Sequence, residues 1–310
     1  MPPIVTIAAA QMGPIARSES RSQVVARQIA LMRQAKAMGA EVVAYPEAAL
    51  TAFFPHWFTE DEAEVDAWFE REMPGPQTAA LFEEARRLQI GFHLGYCELD
   101  FSSGRKRRFN SAILVDAGGA VIGKYRKIHL PGHTEHRPQT PFQNLEKRYF
   151  EVGDLGFRAW RGYGGVAGMM ICNDRRWSES YRVLGLQGVD MVFCGYNTPV
   201  HHPASPEHDR LGQFHNELSM QSGAYQNSTW VIGIAKAGVE DGVDMIAGSC
   251  IIAPTGEIVA RSTGNADEVI VARCDLGLGR SYRETTFNFA LHRRPEHYRM
   301  IVERAGPIPP

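Results

Sequence analysis

Two β-sheets packed face to face, with helices on their outer sides, are the architecture this sequence predicts. Its β-rich runs are continuously apolar instead of alternating, as strands covered on both faces are. These runs interleave with amphipathic helical stretches, the pattern of a mixed α/β chain. The order strand–helix–strand–helix–strand–hairpin also occurs twice. Gly39-Ala-Glu-Val-Val-Ala-Tyr45 is echoed by Gly188-Val-Asp-Met-Val-Phe-Cys194, and the hairpin from Ser111 is echoed by one from Ser249, turn glycine included.

Ile4 to Gln11 reads as the first strand, and Gly13-Pro14 ends it. Val24, Val25, Ile29, Leu31, Met32 and Ala35 then recur at helical spacing between about Ser20 and Met38, with Gly39 as a C-terminal stop. Glu41 to Tyr45 is the next strand and runs into Pro46-Glu47. Helices are expected over Glu60–Met73, which is acidic and amphipathic, and over Thr78–Leu88. A strand follows at Ile90–Leu99, and Gly118-Gly119 between two β-rich runs is a hairpin signature. The second half reads as strand Val166–Ile171, helix Tyr181–Leu186, strand Gly188–Cys194, helix Gln213–Gln226, strand Thr229–Ala237 and the Ser249 hairpin. Two insertions, 129–157 and 196–209, interrupt the repeat, and loops this long in a compact domain tend to be functional. The whole chain, 1–310, is expected to be one domain. Its tail, 277–310, mixes Phe287, Phe289, Tyr298 and Met300 with arginines, which suggests a subunit contact.

Composition narrows the function. A chain of 310 residues can build a core without disulfides or metal. A net charge of -2 gives no electrostatic case for nucleic acid or an anionic membrane. The N-terminal segment lacks a basic region and its apolar run stops at Gln11, so it reads as a strand and not a signal peptide. No apolar span has the length of a membrane helix. Five widely spaced cysteines (Cys97, Cys172, Cys194, Cys250 and Cys274), with no Cys-x-x-Cys, fit a reducing cytoplasm.

The stretch Cys172-Asn173-Asp174-Arg175-Arg176 ends the Val166–Ile171 run abruptly. A side chain at the end of a buried strand is rigid yet can face a cleft, which suits a nucleophile. Arg175 and Arg176 are expected to favour thiolate over thiol. The plainer alternative is a packed core cysteine beside a solvated charge pair. Glu47 sits between Pro46 and the apolar Ala48-Ala49-Leu50, company that suits a general base. Alternation from Val121 places Lys127 on the face of Gly123 and Tyr125, where a buried lysine needs a partner or a task such as oxyanion stabilisation. Glu146 is either a second acid near the site or half of a surface ion pair with Lys147 or Arg148. There is no Gly-x-Ser-x-Gly and no P-loop. The glycines from Gly162 to Gly168 suggest a dinucleotide loop only loosely, since they precede a strand instead of following one. His133-x-x-His136 and His201-His202 lack the acidic partners and helical spacing of zinc motifs, so neither metal nor cofactor is expected.

With Glu47, Lys127 and Cys172 in chain order, the sequence resembles the nitrilase superfamily of carbon–nitrogen hydrolases over nearly its whole length, from Ala8–Gln11 to Phe287–Pro295. Within it, the sequence is most similar to the N-carbamoyl-D-amino acid amidohydrolases. Pro46–Pro55, Gly123–His133, Leu145–Phe150, Ile171–Trp177 and Gly195–Pro199 carry that similarity. The resemblance implies a four-layer αββα sandwich with internal two-fold duplication and a homodimer or homotetramer whose tails cross between subunits. It implies Glu47 as general base, Lys127 as oxyanion stabiliser, Cys172 as nucleophile and Glu146 as a second glutamate positioning substrate. Arg175 and Arg176 would hold the substrate carboxylate, a task suited to a planar fork. Asn173, Asn197 and Thr198 would line the pocket. Asn144 stands where the carbamoylases carry a histidine, so the substrate range turns on it. The implied substrate is an N-carbamoyl amino acid, with no nucleic-acid or membrane partner. The same three residues would serve an N-carbamoyl-β-alanine amidohydrolase, an aliphatic amidase or a nitrilase, though the arginines speak for a carboxylate-bearing substrate. A non-catalytic binding member and a metal hydrolase are the remoter alternatives.

Overall fold

A computed structural model describes residues 2–309. The first half contributes β1 (Ile4–Gln11), β2 (Val42–Ala44), β3 (Gly91–Asp100), β4 (Arg107–Val115) and β5 (Val121–Arg126). Next come β6 (Ala159–Gly162), β7 (Gly165–Ile171), β8 (Met191–Tyr196), β9 (Trp230–Ala235), β10 (Ala237–Glu240), β11 (Val243–Ile246), β12 (Cys250–Ile252), β13 (Ile258–Arg261) and β14 (Glu268–Asp275). They form two six-stranded sheets, ordered β14-β1-β2-β3-β4-β5 and β13-β12-β9-β8-β7-β6, and a separate β10-β11 ribbon. In each sheet three parallel strands, β1-β2-β3 or β7-β8-β9, continue into an antiparallel hairpin. The duplication expected from the echoed segments is therefore present in the topology.

The edge strands were not foreseen. β6 follows β5 in the chain yet pairs with β7 of the second sheet, while β14 follows β13 yet pairs with β1 of the first. Each half thus sends its last strand to the other half's sheet. The turn between β6 and β7 is Tyr163-Gly164, both at positive φ (54° and 76°), so the loosely nucleotide-like glycines build a tight hairpin. Register brings Ile4 opposite Asp275, and the Leu276 amide donates to the Pro3 carbonyl at 3.1 Å.

Helix α1 (Arg21–Ala37) begins at a capping box in which Ser20 and Gln23 satisfy each other's backbone amides, and it stops before Gly39 at φ 86°. Successive β1 residues serve different faces. Ala8 and Ala10 pack with Val24, Leu31 and Met32 under the helices, while Ile7 and Ala9 belong to the core shared with the second sheet. The expected Glu60–Met73 helix shrinks to α2 (Glu62–Asp66). Beyond it the Glu70 backbone pairs with β3, its amide donating to Cys97 O and its carbonyl accepting from the Leu99 amide, which draws the segment out of helix. Helix α3 (Ala79–Leu88) joins α1 on the first sheet. After α4 (Glu146–Tyr149), α5 (Ser178–Leu186) and α6 (Gly212–Asn227) cover the second sheet through Tyr181, Leu184, Met220 and Ala224. The tail holds four short helical turns, at 280–284, 289–292, 295–297 and 299–303, and has no buried residue among 280–309.

Candidate active site

Glu47, Lys127 and Cys172 lie just past the ends of β2, β5 and β7, so both sheets contribute to one place. The Glu47 turn fits between them because a glycine on each side makes room. A Cβ on Gly95 of β3 would lie 2.4 Å from the Pro46 carbonyl oxygen, and one on Gly195 of β8 would lie 2.6 Å from the Glu47 nitrogen. Ala48, next in chain, takes a positive φ of 45° to complete the turn.

Glu47 is fully buried, and both its oxygens are engaged. Oε1 accepts from Lys127 Nζ and from Asn110 Nδ2, each at 2.7 Å, and Oε2 accepts from the Asn197 amide at 2.8 Å. Lys127 Nζ also donates to Glu146 Oε2 at 2.5 Å. Burial opposes the Lys127 charge, but Glu146 and Glu47 outweigh it and hold the ammonium above its ordinary pKa. Glu146 is pushed up to about 7, by burial first and by Glu47 in addition, against the pull of Lys127. The choice left open for Glu146 is settled in geometry: it faces Lys127, while Lys147 and Arg148 are exposed.

Cys172 follows the last residue of β7 and opens a 3₁₀ turn, Cys172–Arg176, with φ at 47°. A non-glycine residue in that region is strained and persists only where its surroundings hold it. Its thiol donates to the Asn197 carbonyl at 3.6 Å and lies 3.8 Å from Thr198 Oγ1. The expectation that arginines lower its pKa is corrected. Burial raises it, Glu47 adds to that, and Lys127 and Arg175 only partly compensate. The resting sulfur is a thiol that needs a base.

A buried aspartate that the sequence reading passed over, Asp174, anchors this turn. Its Oδ2 accepts from Tyr125 Oη at 2.8 Å and the Ile171 amide at 3.0 Å, and its Oδ1 accepts from the His129 amide at 2.9 Å. His129 Nδ1 lies 2.8 Å from the same Oδ1. Asn110 was missed as well; only its place opposite Cys97 in the β3–β4 ladder, one strand from β5, marks it.

A cavity of about 370 Å³ opens onto Cys172 and Glu146. Asn144, Asn173, Arg176, Asn197 and Thr198 line it. The two arginines part company. Arg176 is exposed and donates to Asn173 Oδ1 at 3.2 Å, whereas Arg175 is buried and does not line the cavity. His56, His202, His215 and Asp209 also reach the wall; of these the sequence draws attention only to His202, in the His201-His202 pair. Burial lowers the His56 pKa to about 4, so it faces the cavity uncharged at neutral pH. His136 stacks on Phe58 with centroids 3.9 Å apart, and His201 meets Asp209 at 2.7 Å. Among the described residues no three His, Cys, Asp or Glu side chains are grouped to hold a metal. No described helix is long and apolar enough to cross a membrane.

This arrangement can deprotonate a thiol, direct it at a trigonal carbon and meet the resulting oxyanion with an ammonium. The carbon-nitrogen hydrolase family model matches residues 6–284. An N-carbamoylputrescine amidase from Arabidopsis thaliana is 28% identical over 301 residues, covering 93% of each chain. A nitrilase from Pyrococcus abyssi is 30% identical over 295 residues, covering 95% of this chain and 99% of its own. The crystal structure of a carbon-nitrogen hydrolase from Helicobacter pylori superposes with a TM-score of 0.82 at 22% identity, over 97% of this chain and 99% of that one. Family model, relatives and fold agree: the chain belongs to the carbon-nitrogen hydrolases of the nitrilase superfamily.

Proposed function

We propose that the protein hydrolyses N-carbamoyl-D-amino acids to the D-amino acid, ammonia and carbon dioxide. The observation that carries the substrate class is Arg176, a fixed positive charge on the wall of the cavity that also holds Cys172. The ureido group of such a substrate meets Cys172 while its carboxylate meets the guanidinium. Asn144 Oδ1 is buried with no hydrogen-bond partner and lies on the same wall, ready to accept from a ureido N–H. The enantiomer rests on the sequence resemblance alone.

In the mechanism Glu47 takes the Cys172 proton, and the thiolate attacks the ureido carbonyl carbon. Lys127 and the Asn173 amide receive the tetrahedral oxyanion. The bond to the terminal nitrogen breaks, Glu47 returns the proton, and ammonia leaves a thiocarbamate on sulfur. Water deprotonated by Glu47 then releases an N-carboxy amino acid, which loses carbon dioxide. Glu146 accepts a second hydrogen bond from Lys127 and so holds it in place.

Asp209, also on the wall, favours a second reading: a ureido substrate with a cationic end, as the name of the Arabidopsis relative describes for that protein. It ranks behind because the Asp209 carboxylate already accepts from the His202 amide at 2.8 Å and meets His201. Ammonia release is the test, with racemic N-carbamoyl amino acids, N-carbamoyl-β-alanine and N-carbamoylputrescine as substrates and Cys172→Ala as control. Chiral analysis showing D-product only is the expected result; turnover of N-carbamoylputrescine alone would move the substrate to the second reading.

We further propose a homo-oligomer assembled through the exposed apolar side chains Val183 and Leu186 of α5, Phe214 and Leu218 of α6, and Ile301 and Val302 of the tail. Five buried free cysteines fit a cytoplasmic setting. Light scattering on the full chain is expected to give at least a dimer, and a monomer would refute the assembly.

A further inference from the structure

Arg175 makes no contact that a substrate carboxylate could share. Nη1 donates to the Cys172 carbonyl at 2.6 Å, Nη2 to Thr198 Oγ1 at 3.0 Å and Nε to Asn216 Oδ1 at 2.7 Å. The guanidinium plane lies 4.4 Å over the Tyr196 ring. The side chain is buried, and no ion pair within 4.0 Å involves it among the described residues. A buried cation without a carboxylate partner is costly, and folds keep one where its hydrogen bonds have a purpose.

We propose that Arg175 is a positioning residue, a clamp that fixes the Cys172–Asn173 peptide and thereby the nucleophile and the amide that meets the oxyanion. The proposal rests on the reading of Cys172 as nucleophile but not on any particular substrate. Four features of the geometry argue for it. Cys172 sits at φ 47°, where the backbone needs an external hold, and the charge-assisted bond to its own carbonyl supplies one. That carbonyl and the Asn173 N–H belong to one rigid peptide plane. A cation on the oxygen fixes the direction of the N–H and polarises it into a stronger donor. Asn173 lies in the first turn of its 3₁₀ segment, where an amide has no intrahelical acceptor, so its N–H remains available. Thr198 Oγ1 accepts from Arg175, which leaves its own hydrogen free to turn toward Sγ at 3.8 Å once the sulfur is a thiolate.

The anchor of the clamp is Asn216 on α6, whose Nδ2 donates in turn to Tyr196 Oη at 3.2 Å. The nucleophile turn is thus tied to the helical layer outside the second sheet, not only to the strand that delivers it. Arg176, one residue on, keeps the substrate side of the division.

Alkylation of Cys172 separates the two arginines without any ureido substrate, so it stays informative if the carbamoylase reading fails. Rates are measured with neutral iodoacetamide and anionic iodoacetate, with the modified cysteine identified by peptide mass spectrometry. Arg175→Lys keeps the charge but cannot span three acceptors. It is expected to slow both reagents by roughly tenfold or more at an unchanged ratio, and to lower kcat more than it raises KM. Arg176→Gln is expected to change the ratio by slowing iodoacetate selectively. An Arg175→Lys protein that slows iodoacetate alone, or that keeps both parental rates, overturns the clamp. Should Arg175→Lys fail to fold, Asn216→Leu decides. It removes the acceptor that anchors Nε and keeps the charge, so an equal slowing of both reagents supports the proposal and parental rates overturn it.

Discussion

Asp174 shows how much of the site depends on a fully buried residue that does not line the cavity. Its carboxylate gathers Tyr125 Oη, the Ile171 amide and the His129 amide, joining β5, β7 and the first insertion at the nucleophile turn. Asp174→Ala leaves those buried donors without an acceptor, at a cost of about 3 kcal/mol or more. Urea denaturation should show the loss, and turnover should fall further than the lost stability explains because Cys172 loses its anchor. Residue identity was legible where chemistry stands out in apolar company: Glu47, Lys127 and Cys172 meet, and Glu146 joins them. Rotation about a tight turn was not legible. Consecutive side chains of a 3₁₀ turn diverge by about 120°, so Arg175 and Arg176 cannot share a face, yet spacing alone does not say which one looks outward. Asp174, lying between Asn173 and those arginines, reads in sequence as one more solvated charge.

At the level of elements, close backbone approach matters more than propensity. Gly95 and Gly195 let two sheets grip one turn, and a methyl group on Gly95 would strike the Pro46 carbonyl and the Glu47 Cα. Gly95→Ala must displace the Pro46-Glu47 turn. We expect a loss of about 1–3 kcal/mol in stability by denaturation and a larger loss in kcat than in substrate affinity, read from steady-state kinetics. Helix α1 was legible almost to the residue because its stops are local, the Ser20 capping box and Gly39. The Glu60–Met73 segment misled because its helical pattern lost to a distant partner, the β3 backbone at Cys97 and Leu99. β6 and β14 are partly exposed edge strands, β6 of only four residues and β14 with its apolar run confined to Val269–Ala272, and neither shows in sequence which sheet it joins.

For the molecule as a whole, two buried histidines set the acid limit. Burial lowers both His56 and His93 from 6.5 to about 4. Each is therefore neutral when folded and readily protonated when unfolded across that interval. Their contribution to stability is complete above about pH 6.5 and is lost as pH falls toward about 4. Denaturation midpoints should decline over this range, and His93→Gln should flatten the decline; an unchanged slope would refute the assignment. Strand exchange makes a second prediction at this scale. Fragments 1–157 and 158–310, expressed apart, leave the first sheet without β14, β14 without its sheet and the shared core in water, and should aggregate. Produced together they should assemble and recover the alkylation rate of Cys172.

The meeting of Pro3 with Leu276 gives the chain the character of a ring. A ring has no privileged starting point. A short glycine bridge from residue 276 to residue 3, with the chain opened between β5 and β6 and the tail beyond 276 given up, would present the second half first. Every ladder, the three-strand meeting at Glu47 and the exchanged edges would be preserved. What counts as beginning and end here is a matter of synthesis order, and the catalytic geometry is indifferent to it.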